Sequence, residues 1–218
     1  MTQTESITRR ACAKVQNHLI ASDPTIIDVA FSEGSVFYPH ECLRRTYEPG
    51  CTEPWVVELI AALLKANGLT TVLECGGYKG TTSAWLALTL EAMGGGFLTV
   101  AEWDAEAPER ADETQARLES LAVPHVEWRV VRDDACRVIT ALAPESTGFA
   151  FLDDDHSKAH VQEEIELLLP KMQPGGIITG HDVWGSCDLQ EVFAKFGGYS
   201  LNLPRLGLAG GLGILQCL

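Results

Sequence analysis

The chain has 218 residues, 46% of them hydrophobic, which suffices for one sizeable core and gives no reason to expect a second full domain. A formal net charge of -14 repels a phosphate backbone, so nucleic acid is not an expected partner and small neutral or cationic molecules fit better. No window is apolar for long enough to cross a bilayer, and MTQTESITRR lacks the apolar stretch of a signal peptide. The expectation is therefore a cytoplasmic protein without a membrane partner, its seven scattered cysteines reduced because no CxxC pair is present.

Along the chain, Pro24, Gly34, Pro39, Pro49 and Gly50 interrupt any periodicity before about residue 52. Residues 1–51 are expected to form a cap of short helices and loops, one able to pair with a second subunit, and 52–218 the main domain. Five β-branched runs then alternate with helical stretches. Val72 to Cys75, Phe97 to Ala101, Val126 to Val131, Phe149 to Asp153 and Gly176 to Gly180 are expected as parallel strands. Thr82 to Met93, Pro108 to Leu121 and Lys158 to Met172 carry apolar residues at helical spacing, and a shorter helix follows Asp133. Leu189 to Phe196 reads as one more helix, and Tyr199 to Leu203 with Leu212 to Gln216 as an antiparallel hairpin. The pattern predicts an α/β, doubly wound, mostly parallel sheet.

The first strand runs into Glu74-Cys75-Gly76-Gly77-Tyr78-Lys79-Gly80-Thr81-Thr82-Ser83. Glycines in a strand-to-helix turn admit a ligand close to the backbone, and the helix start presents free N–H groups. The spacing of Gly76, Gly77 and Gly80 departs from GxGxxG, and Glu74 precedes it. A carboxylate there opposes a pyrophosphate but suits the cationic sulfonium and amino group of S-adenosylmethionine. Glu102, at the end of the second strand, is the expected ribose ligand, with Asp104 as understudy. Asp133, Asp134 and Ala135 end the third strand, where a side-chain acceptor and a backbone N–H reach the adenine edge; for Asp133, capping the next helix is the equal alternative. Trp103 either covers the adenine or packs plainly. Tyr78 and Lys79 either line the methionine end or stay exposed, and Trp184 either walls the substrate pocket or joins the core.

The segments VLECGGYKGTTSAWLA, TVAEWD, VRDDACRVI, FAFLDDDHS and PGGIITGHD, in this order, resemble the successive motifs of class I methyltransferases over residues 70–182. The resemblance implies a Rossmann-like sheet of seven strands with one antiparallel strand near the edge. It makes Glu74, Gly76, Gly77, Gly80, Ser83, Glu102, Trp103, Asp134, Ala135 and Asp153 the expected cofactor-binding residues.

Asp153, Asp154, Asp155 and His156 close the fourth strand, and His181 and Asp182 the fifth, at the carboxyl edge where open α/β sheets bind ligands. Such a convergence of acids repels itself unless protonated or joined by a cation, so a divalent metal, Mg²⁺ by its oxygen ligands, is expected. His156 is the candidate base, Lys158 its alternative, and a zinc pair of His156 with His160 a weaker idea. The set resembles the metal-dependent small-molecule O-methyltransferases of the catechol, caffeoyl-coenzyme A, macrolide-sugar and cephalosporin-pathway groups. That resemblance implies Asp153 and Asp182 as metal ligands, His156 as base, and a phenol, catechol or sugar hydroxyl of a secondary metabolite as acceptor. His181 stands where the macrolide-sugar group has a carboxylate and becomes the third expected ligand. The rival expectations are a nicotinamide-dependent oxidoreductase and a non-catalytic cofactor-binding partner in a biosynthetic assembly.

Overall fold

A computed structural model describes residues 50–103, 107, 109–185, 188–203 and 209–217. The expected N-terminal cap and Asp104 lie outside the described residues. The compact unit beginning at Cys51 is described here.

Its first helix, α1 (Pro54–Asn67), starts on a proline, whose missing N–H costs nothing at a helix start. Val56, Val57, Ile60, Ala61 and Leu64 make its buried stripe, and Gly68 ends it in the left-handed conformation with its N–H turned back to the last carbonyls. This helix is not among the elements expected from the sequence. Then follow β1 (Thr71–Cys75), α2 (Thr81–Ala92), β2 (Gly96–Ala101), α3 (Glu109–Glu119), β3 (Val126–Val131), α4 (Ala135–Ala141), β4 (Thr147–Leu152), α5 (Lys158–Leu168), β5 (Met172–Gly185), α6 (Gln190–Lys195), β6 (Tyr199–Leu201) and β7 (Ala209–Gln216).

The seven strands form one sheet in the order β3-β2-β1-β4-β5-β7-β6. All pairings among β1 to β5 are parallel, and β7 runs antiparallel to both β5 and β6. The expected doubly wound sheet with one antiparallel strand next to the edge is what the chain forms. The strand order reverses between β1 and β4, so loops leaving these two strands diverge and open a crevice at their carboxyl ends. Cys75 and Leu152 are register partners there, which puts Gly76 and Asp153 at the same height on either side of it.

Leu73, Cys75, Ala150, Leu152 and Ile178 of the sheet pack with Val138, Ile139, Ile165, Leu168 and Phe193 of the helices. Phe193 lies over two register partners, Gly180 and Gly213. A Cβ at Gly213 would stand 2.5 Å from its ring and one at Gly180 2.7 Å, so both must be glycine for the ring to seat.

Some boundaries differ from expectation for local reasons. β4 stops at Leu152, leaving Asp153 in the loop. The helix expected to run to Met172 ends at Leu168, and a turn of 3-10 helix carrying Pro170 follows, since proline cannot continue the α-helical hydrogen bonds. β5 is far longer than expected: it begins at Met172, passes through Pro174 and Gly175, and continues through His181 and Asp182 to Gly185. Its pairing with β7 shifts register between His181 and Trp184, a bulge next to the crevice.

Candidate active site

The turn after β1 holds the crevice open on one side. Gly76 has φ +87, and a Cβ there would lie 2.4 Å from the Asp153 carbonyl oxygen. The Gly77 position faces Val100 at 2.8 Å and the Gly80 position faces Thr114 at 2.7 Å, so each of these glycines lets backbone approach backbone or side chain where a methyl group has no room. Tyr78 sits in the left-handed region, φ 48, and its N–H donates to Glu102 Oε2 at 2.7 Å. The Gly77 amide also stabilises that carboxylate, but burial outweighs both amides and raises its pKa. Glu102 is thus fixed by the glycine turn, beside the end of β2.

Glu74 is fully buried, and neither carboxylate oxygen has a hydrogen-bond partner, nor does the buried Ser83 hydroxyl. Burial pushes the Glu74 pKa up to about 8, with the nearby Ser83 partly offsetting it and Asp153 and Glu102 adding to it. Positive charge placed close by would remove most of the cost of ionising such a group.

The other side of the crevice is an acid and imidazole cluster. Asp153 Oδ1 lies 3.2 Å from His156 Nε2 and 3.0 Å from His181 Nδ1. Donor atoms of these three residues all fall within 4.8 Å of one another. Asp182 stands beside them, 3.4 Å from His181 Nδ1 and 3.7 Å from His156 Nε2. Successive strand residues normally face opposite ways; Asp182, at φ 53 in the bulge of β5, breaks that alternation and turns to the same side as His181.

Burial alone would raise the Asp153 carboxyl, but His181 and His156 together hold it well below the usual carboxylate range. Burial opposes a cation on His181, yet Asp153 and Glu53 raise its pKa well above the ordinary value. His156 is raised by its bond to Asp153 against its burial, and Asp182 is raised by burial, with His181 opposing. Without a bound ion, His181 and His156 are thus the groups that offset the Asp153 charge.

Two residues that the sequence does not mark complete the cluster. Thr52 donates to Asp153 Oδ2 at 2.8 Å and meets the Thr82 hydroxyl at 2.9 Å. Glu53 Oε2 meets His181 Nε2 at 2.6 Å, with both side chains buried. They precede α1, and their only signal in the sequence is the Thr-Glu-Pro of a helix start.

The remaining expected residues fall into place as follows. Asp134 caps α4, accepting from the Arg137 N–H at 3.2 Å, and Ala135 is buried in the first turn. Asp133 accepts from the Asp134 N–H and pairs with Arg137, a local structural role. Trp103 is 56% exposed beside Glu102, free of core packing. Lys158, the alternative base, is engaged by Glu191 at 2.8 Å. His160 does not pair with His156 as the zinc idea requires; it bonds Asp154 at 3.0 Å. Trp184 packs against the core, the second of its two readings.

A protein-family comparison matches residues 73–183 to a family described as a methyltransferase domain. A search of curated proteins gives no significant match. Among solved structures, the chain is similar to an O-methyltransferase from Bacillus cereus in complex with SAH, with 19% identity and a TM-score of 0.62 over 78% of this chain and 84% of that one. It is also similar to the O-methyltransferase TomG from Streptomyces achromogenes, involved in tomaymycin synthesis and bound to SAM, at 20% identity and TM-score 0.60 over 77% and 82%. A methyltransferase from Geobacter sulfurreducens gives 12% identity and TM-score 0.60 over 78% and 81%. At such identities the structural likeness concerns the fold.

Proposed function

The chain belongs to the methyltransferase-domain family, and on that premise we propose that it moves a methyl group from S-adenosylmethionine to a hydroxyl of a small molecule, assisted by a divalent ion and a histidine base. The family sets aside the nicotinamide alternative. One observation carries the reading: Gly76 of the donor turn and Asp153 of the acid and imidazole cluster touch across the sheet's switch point, so both halves of such a reaction share one crevice.

The residues fit the donor. Glu102 would take the ribose hydroxyls, Asp134 and Ala135 the adenine edge with Trp103 over it, and the glycine turn the methionine end near Glu74 and Ser83. S-adenosylmethionine, when bound, supplies a methyl group on a cationic sulfur, the charge for which the unpartnered Glu74 carboxylate is suited. The donor set fits a metal as well. Asp153, His181 and Asp182 would hold it, and when bound it supplies positive charge that lowers the pKa of an acceptor hydroxyl. An imidazole among the ligands favours an ion of the Mn²⁺ or Zn²⁺ kind over Mg²⁺, which prefers oxygen throughout.

His156 would then accept the hydroxyl proton on the ring nitrogen that does not face Asp153, because Nε2 donates to that carboxylate. Asp153 orients that ring from 3.2 Å and stabilises the imidazolium formed. Glu53 holds the His181 ring by its far nitrogen, which leaves Nδ1 directed at Asp153 and the cluster. The solved O-methyltransferases of this fold, one of them involved in tomaymycin synthesis, support oxygen as the acceptor atom and a secondary metabolite as its source.

The deciding experiment incubates the purified protein with labelled S-adenosylmethionine and a panel of phenols, catechols and sugars, with chelator and with Mg²⁺, Mn²⁺ or Zn²⁺ restored. Label in an oxygen-bound methyl group, lost on chelation and restored by metal, is the expected result. Transfer undiminished by exhaustive chelation removes the metal from the reading, and transfer only to nitrogen or sulfur acceptors removes the hydroxyl.

A further inference from the structure

The residue after Asp153 belongs to a different group of donors. Asp154 Oδ2 lies 3.0 Å from His160 Nε2, and Glu164 Oε2 lies 3.9 Å from that same nitrogen. His160 and Glu164 are four apart on α5 and therefore share one face of the helix. The three donor atoms fall within 4.8 Å of one another.

Glu164 is what makes this more than a surface ion pair. Its side chain has 0% exposure and, a weak interaction with the Cys75 thiol aside, neither carboxylate oxygen has a hydrogen-bond partner; the second oxygen of Asp154, Oδ1, is likewise buried and unpartnered. Buried carboxylate oxygens are nearly always satisfied, since leaving them bare forfeits their hydration with nothing in return. One imidazole nitrogen, already bonded to Asp154, is too far from Glu164 for a hydrogen bond. One oxygen from each carboxylate and the imidazole nitrogen thus gather around a common space. Burial and Asp154 push the Glu164 carboxyl well above its ordinary value, as they must wherever positive charge is short. The buried Cys75 thiol and the Cys136 thiol lie within electrostatic reach of Glu164, and both are raised by burial first and by that carboxylate.

We propose that Asp154, His160 and Glu164 bind a divalent transition ion of the Zn²⁺ class, at a site separate from the catalytic cluster. Imidazole nitrogen with two carboxylates is a donor set for such ions rather than for Mg²⁺. Bonds of about 2.0–2.2 Å hold tetrahedral donors about 3.4 Å apart, so the group needs only a small contraction. Asp154 and His160 side chains are 21% and 18% exposed, which gives an ion a way in from solvent. The bound ion ties the loop after β4 to the second turn of α5, and that loop also carries Asp153.

The test strips the full-length protein with a chelator and titrates Zn²⁺ against a chromogenic competitor in wild type, Asp153→Asn, Glu164→Gln and His160→Ala. Glu164→Gln keeps the shape and removes a buried charge, and His160→Ala changes a partly exposed residue, so each checks the other for folding. The expected result is a Zn²⁺ affinity lowered at least tenfold in Glu164→Gln and in His160→Ala, with that site retained in Asp153→Asn. Equal binding by wild type, Glu164→Gln and His160→Ala overturns the proposal, as does a wild type that binds no Zn²⁺ or an Asp153→Asn variant that binds none. Loss confined to Asp153→Asn would uphold a metal in the catalytic cluster and leave a protonated Glu164 as the explanation here.

Discussion

His181 and Glu53 meet at 2.6 Å across 128 residues of sequence, with both side chains buried. A carboxylate on the far nitrogen of an imidazole fixes which nitrogen faces the reaction and which way the ring is turned. Glu53→Gln keeps the size and a hydrogen-bonding oxygen but loses the charge. Metal affinity or turnover is expected to fall roughly 10- to 100-fold, as outer-sphere changes typically cause. Donor affinity, measured by calorimetry, should stay nearly constant; an unchanged metal affinity and rate would deny Glu53 this positioning role.

Glu74 gives the protein a pH-dependent weakness. Its folded pKa of about 8 exceeds the ordinary 4.5, so the folded state holds the proton more tightly than the unfolded chain. The stability this contributes is complete below about pH 4.5 and is lost as pH rises through about 8, an effect on the order of a few kcal/mol. Without donor, Glu74→Gln should therefore flatten the melting-temperature profile between pH 5 and 8 and raise stability at the alkaline end. With donor, the wild type should gain more stability than the variant, because the sulfonium favours the ionised carboxylate. Parallel profiles for the two proteins would contradict this.

The contact between Gly76 and Asp153 leaves no room for a methyl group, and its positive φ disfavours any side chain. Gly76→Ala should cost more than about 1 kcal/mol in denaturant unfolding and weaken donor binding by widening the switch point. A variant with wild-type stability and donor affinity would mean that the turn is more accommodating than its geometry.

As base, His156 must be neutral to act. Its pKa lies above the ordinary 6.5 because of Asp153, so turnover should fall as pH drops through that raised value. His156→Ala should lower kcat by roughly 10²- to 10⁴-fold and abolish this acidic limb, while leaving donor affinity in place. A limb that survives in the variant belongs to some other group.

The sheet was readable because each strand is an apolar run closed by a polar residue or a glycine, and the switch point follows from strand order. Glu74, Glu102 and Asp153 are legible for the same reason, each standing at or just beyond a strand's carboxyl end, and His181 because the apolar run before it closes at Gly180. α1 is legible in principle, since Val56, Val57, Ile60, Ala61 and Leu64 repeat at helical spacing behind a proline, although helix breakers crowd the sequence just before it. The length of β5 was hidden by Pro174 and Gly175, which ordinarily argue against a strand. Glu53 and Thr52 carry only the local signal of a helix start, because their importance comes from partners 128 and 101 residues away. The facing of Asp182 depends on a bulge that periodicity cannot announce.

The place of β7 between β5 and β6 has a consequence for biosynthesis. The 14-residue β5 leaves the ribosome with one long edge bare, and β6 cannot cover it because β6 bonds only to β7. Until Ala209–Gln216 slots in beside it, that edge of β5 stays unpaired. During that interval the molecule offers a template for intermolecular strand pairing, and a chain interrupted between 186 and 208 would keep it permanently.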